Sequence, residues 1–130
     1  MTIQDEILIA ITVYRENRGG GYQGMQSVAN VIQNRATLHG ESPYIVCTIH
    51  AQFSSISMPG PESYLWPKET DPQWQTALSI AADAASGTLA DITGRAVSYY
   101  APAGMTGGKA PYWAASMQKT VEIANQIFFR

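Results

Sequence analysis

Apolar residues recur at helical intervals over most of this chain, and polar or glycine-rich stretches interrupt them. After Ile3 come Ile7, Leu8, Ile11 and Tyr14, spaced as one face of a helix, behind Asp5 and Glu6, whose charge suits a helix N-terminus. This pattern predicts a first helix ending near Arg18. Gly19-Gly20-Gly21 stops it, because glycine tolerates the left-handed backbone that helix ends often need. Met25, Val28, Ala29, Ile32 and Ala36 then mark one face of a second helix from near Gln23 to about Leu38. Its other faces carry Gln26, Asn30, Gln33, Asn34 and Arg35, which read either as solvated surface or as the hydrogen-bonding wall of a cleft.

Beyond His39 the cues weaken. Tyr44 to Ile49 reads as one or two helical turns, and Ser57 to Asp71, with Pro59, Gly60, Pro61 and Pro67, reads as an irregular connection. Asp71 then caps a third helix with Pro72 in its first position. Trp74, Ala77, Leu78, Ala81, Ala82 and Ala85 form its apolar face up to Gly87, and the alanines suggest a central place in the fold. Asp91-Ile92-Thr93-Gly94 is a turn. Ala96 to Tyr100 is short and extended, and Ala101 to Ala110 is a glycine-containing loop suited to a cleft edge. Met117, Val121, Ala124 and Phe128 predict a C-terminal helix from about Tyr112 to Phe129.

With 130 residues, 45% hydrophobic and 14% charged, the chain is expected to fold as a single domain over residues 1–130. The net charge of −2 offers no basic footprint for nucleic acid. Cys47 is the only cysteine, which excludes an intramolecular disulfide, and it reads as packing instead of a nucleophile. His39, Cys47 and His50 match no zinc spacing, so neither a metal nor another cofactor is expected. No run approaches the roughly 20 apolar residues of a membrane span, and the N-terminus lacks a signal-peptide pattern. Cytoplasmic synthesis without a membrane anchor, as a monomer, is the expectation.

Glu16 is the first candidate for chemistry, since it lies between two helices beside three glycines that let a ligand approach the backbone. The plain alternative is a solvated helix-end glutamate, or one paired with Arg18 or Arg35.

Four separated motifs give the chain a family resemblance. The first is Tyr14-Arg15-Glu16-Asn17-Arg18-Gly19-Gly20 followed by Gly24-Met25-Gln26-Ser27-Val28-Ala29-Asn30-Val31-Ile32-Gln33-Asn34-Arg35; then come Gln52-Phe53-Ser54, Asp91-Ile92-Thr93-Gly94-Arg95-Ala96, and Tyr99-Tyr100 with Pro111-Tyr112-Trp113. In order and spacing the chain resembles the spore-cortex-lytic type of cell wall hydrolase. Arg15 stands where that signature has glycine, and Gly20 where it has a second glutamate.

The resemblance implies a mainly α, compact lysozyme-like domain with little or no β-structure, acting on peptidoglycan glycan strands. It implies cleavage of the MurNAc-β-1,4-GlcNAc bond as a lytic transglycosylase, with Glu16 as acid and then base. Hydrolytic muramidase action, or a non-catalytic glycan-binding module on the same fold, stand as alternatives. Gln52, Ser54, Tyr99, Tyr100 and Tyr112 are the expected glycan contacts, with Phe53 and Trp113 as packing. Arg18, Asn30 and Asn34 are candidate supports of the acid. Asp91 is either a second acid or a structural turn aspartate. Trp66 and Trp74 read as packing, Trp66 being the more exposed. A phage endolysin acting on the bacterial cell wall is the expected setting.

Overall fold

The computed structural model describes residues 1–49, 53–57 and 60–130. Helix α1 (Ile3–Asn17) starts with a capping box: the Thr2 hydroxyl accepts from the Asp5 N–H, and the Asp5 carboxylate accepts from the Thr2 N–H. The other Asp5 oxygen accepts from the Tyr44 N–H, tying α3 (Pro43–Thr48) to the start of α1. Helix α2 (Gly21–His39) ends at Gly40, whose φ of 64° gives the left-handed cap. After α4 (Ser54–Ser57) and a 3-10 turn (Glu62–Tyr64), α5 (Pro72–Ser86) begins at the Asp71 cap and stops at Gly87, as the sequence signals require.

The central helix is α1, not α5. From Ile9 to Arg15 every side chain is buried, because α1 packs against α2, α3, α4 and α5 together. Its deepest members, Ile9 and Val13, are not those the spacing picks out, and Ile7 is exposed. A helix enclosed on all sides has no single apolar stripe to read. The buried stripe of α5 is Ala77, Ile80, Ala81 and Ala84, while Leu78, Ala82 and Ala85 face outward. Contacts at its start set this rotation: the Tyr14 hydroxyl donates to Asp71 (2.5 Å), and the Tyr14 and Trp74 rings meet edge to face at 5.7 Å. On α2 the expected face holds, with Met25, Val28, Ala29, Ile32 and Ala36 in the main core.

The expected C-terminal helix is replaced by strands. A 3-10 turn (Tyr112–Ser116) leads into β2 (Lys119–Ile123) and β3 (Gln126–Phe129), and β1 (Ser98–Tyr100) adds to β3, giving an antiparallel sheet in the order β1-β3-β2. Ala124 and Asn125 both hold positive φ (49° and 63°), the geometry of a tight two-residue hairpin turn. The pairing buries Phe128 against Val31 and Ala96 on one face, and sets Phe129 against Tyr100 and Trp113 on the other. Consecutive residues of a strand point to opposite faces, so both phenylalanines find a core, which one helical stripe cannot provide. The fold is otherwise mainly α, with this small sheet as its β-structure.

Candidate active site

Glu16 lies near the C-terminal end of α1, just past the fully packed turn that ends in Arg15. It is half-buried. The Ser55 hydroxyl of α4 donates to its Oε1 at 3.0 Å. Burial pushes its pKa up, and the nearby Glu62 charge adds to that; the hydrogen bonds from Ser55 and the Arg35 guanidinium oppose it, leaving the net direction upward. The site therefore holds a carboxyl whose proton is retained further towards neutral pH, as a general acid requires.

The carboxyls of Glu62 and Asp91 are set the opposite way. Glu62 forms a two-pronged ion pair with Arg18 (2.9 and 3.2 Å), and that hydrogen bonding holds its pKa down. Arg18 also lies 5.2 Å from the Tyr14 ring centre, so it serves Glu62 and the end of α1. Asp91 accepts from the Thr93 N–H (2.7 Å), the Thr93 hydroxyl (2.6 Å), the Arg95 N–H (3.1 Å) and Asn34 Nδ2 (3.1 Å). Its partial burial raises the pKa, but these bonds outweigh that and hold it below the ordinary aspartate value. The arrangement is that of a turn staple.

The amide-rich face of α2 does not form an open cleft wall. Gln26 and Asn30 both donate to the Ala90 carbonyl, and Asn30 Oδ1 accepts from the Ile92 N–H. Asn34 also reaches the Ala96 carbonyl, and Arg35 Nε donates to the Val97 carbonyl. These side chains moor the 90–97 segment to α2 and so fix the start of β1. Arg35 additionally lies 5.2 Å from the Phe53 ring centre, and Phe53 is buried in the main core.

Adjacent tyrosines of β1 separate at this point. Tyr99 turns toward the helices, packs on Phe128 at 5.3 Å, and has its phenol pKa raised by burial, with the Glu16 charge adding to that. Tyr100 points to the other face, stacked on Phe129 at 5.8 Å and edge-on to Trp113 at 6.1 Å. Tyr112 is 94% exposed. Gln52 and the Ser54 side chain lie outside the described residues. Burial pushes the Cys47 thiol up to about 12, which leaves it un-ionised at neutral pH. Among the described residues no cluster of His, Cys, Asp and Glu has the makings of a metal site, and no helix is long and apolar enough to cross a membrane.

Sequence reasoning missed Ser55 and Glu62, since neither carries a local signal beyond its polarity. The glycines after Glu16 also have a packing role. A Cβ on Gly20 would stand 2.7 Å from Asn17 Oδ1, and one on Gly24 would stand 2.8 Å from Asn17 Nδ2. Both leave room for the Asn17 amide, which donates to Gln126 Oε1 at 3.0 Å and joins α1 to the hairpin.

Comparison with known proteins agrees with this architecture. The catalytic domain of the germination-specific lytic transglycosylase SleB from Bacillus anthracis superposes with a TM-score of 0.76 at 29% identity, covering 100% of this chain and 97% of that one. The catalytic domain of the Bacillus cereus SleB protein gives a TM-score of 0.72 at 28% identity, covering 100% and 92%. No curated protein matches. The profile described as Cell Wall Hydrolase matches residues 19–129, beginning just after Glu16. With its matched span covering nearly the whole sequence and its fold shared end to end with these catalytic domains, the chain belongs to the cell wall hydrolase family.

Proposed function

We propose that this enzyme cleaves the MurNAc-β-1,4-GlcNAc bond of peptidoglycan as a lytic transglycosylase, with Glu16 as its single acid and base. One observation carries the reading: Glu16 has its pKa raised, whereas Asp5, Glu62, Asp71 and Asp91 are all held low. A lone carboxyl shifted towards holding its proton fits a reaction that needs one proton donor and no second acid to activate water.

Glu16 gives its proton to the glycosidic oxygen, which leaves with the GlcNAc residue as that bond breaks. The N-acetyl group of the MurNAc residue supports the positive charge developing at C1. The Glu16 carboxylate then takes the proton of the MurNAc 6-hydroxyl as that oxygen bonds to C1, closing a 1,6-anhydro ring. Proton and charge balance, Glu16 is regenerated and no water is consumed.

Tyr99 is the aromatic group proposed to line the sugar subsite beside Glu16, with Tyr112, Gln52 and Ser54 as further glycan contacts. Tyr100 is proposed as a further glycan contact, and Arg18, Asn30, Asn34 and Asp91 are proposed to support the site through the contacts described above. Host lysis by a phage endolysin is the proposed setting, with the enzyme acting as a monomer. Co-expression with a pore-forming membrane protein is expected to lyse a bacterial host, and lysis that persists with the Glu16→Gln variant would count against it.

Mass spectrometry of digested peptidoglycan in H2-18O tests the chemistry. Anhydro ends free of 18O are expected; reducing ends carrying 18O would establish a muramidase instead. Wall binding with no released fragments would establish a glycan-binding module.

A further inference from the structure

Arg15 is a buried cation next in sequence to the acid, and the chemistry above leaves it unused. Its side chain is buried. Arg15 Nη1 donates to the Ser55 carbonyl at 3.1 Å and Nε donates to the Leu65 carbonyl at 3.0 Å, while the guanidinium lies 5.2 Å from the Trp66 ring centre. Burying a guanidinium is costly unless its donors find partners, and here two of its N–H groups are met by backbone carbonyls ten residues apart. Arg15 thus clasps Ser55 and Leu65 together. The residue held at the near end, Ser55, is the one whose hydroxyl donates to Glu16.

We propose that Arg15 is a positioning residue for the acid: by holding the Ser55 and Leu65 carbonyls it places the Ser55 hydroxyl on the Glu16 carboxyl. The proposal rests on the reading of Glu16 as the acid. A rigid fork suits the task, because two donors fixed in one plane determine both distance and orientation, whereas an ammonium fixes only distance.

The direction of the effect follows from the hydrogen bond. Ser55 donates to the carboxylate and therefore favours its ionised form; losing that bond raises the Glu16 pKa further. The other charged or titratable groups that act on Glu16 or feel its charge are Arg35 from α2, Cys47 from α3, Glu62 from the 3-10 turn and Tyr99 from β1; of these Glu62 also feels the Arg15 charge, which Arg15→Lys keeps and Arg15→Met removes.

A double-mutant cycle with Arg15→Met and Ser55→Ala provides the test, read by 13C NMR titration of the Glu16 carboxyl carbon and by the pH profile of kcat on solubilised peptidoglycan. Both single variants are expected to move the Glu16 titration, and with it the alkaline limb of the kcat profile, to higher pH. The double variant is expected to match Ser55→Ala. An Arg15→Met shift as large in the Ser55→Ala background as in the wild type would mean that its charge acts directly, and would overturn the proposal. An unmoved titration in Arg15→Met would do the same. Should Arg15→Met fail to fold, Arg15→Lys runs the same cycle: it keeps the charge and loses the fork, and an unmoved titration in it would refute the positional role. Activity surviving in Glu16→Gln would instead refute the assignment of the acid, an outcome the NMR titration does not depend on.

Discussion

Replacing Asp91 with alanine separates a turn staple from a second catalytic acid. Four donors converge on this carboxylate, from Thr93 (two), Arg95 and Asn34. Asp91 itself is exposed, so water partly replaces it for Arg95 and Asn34; Thr93 is fully buried, and its N–H and hydroxyl lose a partner that water cannot replace as well. Taking each exposed bond at a few tenths of a kcal/mol and each buried one at about 1–1.5 kcal/mol gives a loss of about 2–4 kcal/mol. At this chain length that is a fall in Tm of roughly 6–15 °C. Circular dichroism melts check it, alongside turnover of peptidoglycan at 20 °C or below, where the variant stays folded and is expected to keep activity within a few-fold of wild type. The folded-state pKa of Asp91 lies below its unfolded value, so its stabilisation is present above the ordinary aspartate range and fades as pH falls through the folded value. The difference in Tm between the two proteins should narrow in acid. An unchanged Tm with turnover abolished would refute the staple and make Asp91 part of the chemistry.

Glu16→Gln is expected to raise stability at neutral pH. The folded-state pKa of Glu16 lies above the unfolded one, so between them the folded protein holds a proton that the unfolded chain has lost, and stability declines as pH rises through that window. The gain should disappear below the ordinary glutamate range; denaturant melts from pH 4 to 8 read it, and a constant difference would contradict it. Gly20→Glu, which adds a carboxylate beside Glu16, forces a Cβ against the Asn17 amide and is expected to cost about 1–3 kcal/mol, largely recovered when combined with Asn17→Ala. Additive losses would show that the crowding is not the cause. Phe128→Ala, which empties a fully buried position between sheet and α2, should lose about 3–5 kcal/mol in urea unfolding.

Legibility in the sequence followed how local each determinant is. The Asp71-Pro72 start and Gly87 stop of α5 were readable because a cap is an interaction of the chain with itself within one turn. The C-terminal hairpin was not, because Met117, Val121, Ala124 and Phe128 happen to fall at helical spacing. The β-branched run Thr120-Val121-Ile123 and the Asn125 turn were the contrary signals. The buried faces of α1 and α5 also escaped, since partners distant in sequence decide which side of a helix is covered. For the candidate site, the sequence singled out Glu16 by type and context and Tyr99 through the family resemblance, but not Ser55, because a serine's role depends on what folding brings within 3.0 Å of its hydroxyl. The polar face of α2 was visible as a pattern, but its backbone partners at residues 90–97 are about sixty residues away in sequence, as the 60-residue separation of Asn30 from Ala90 shows.

The central claim is that Glu16 alone moves the proton. Release of soluble muropeptides from purified peptidoglycan by Glu16→Gln, with folding checked by circular dichroism, measures it most directly. A loss of at least about 100-fold is expected from removing a general acid. Clearance at the wild-type rate by a folded Glu16→Gln variant would contradict the account.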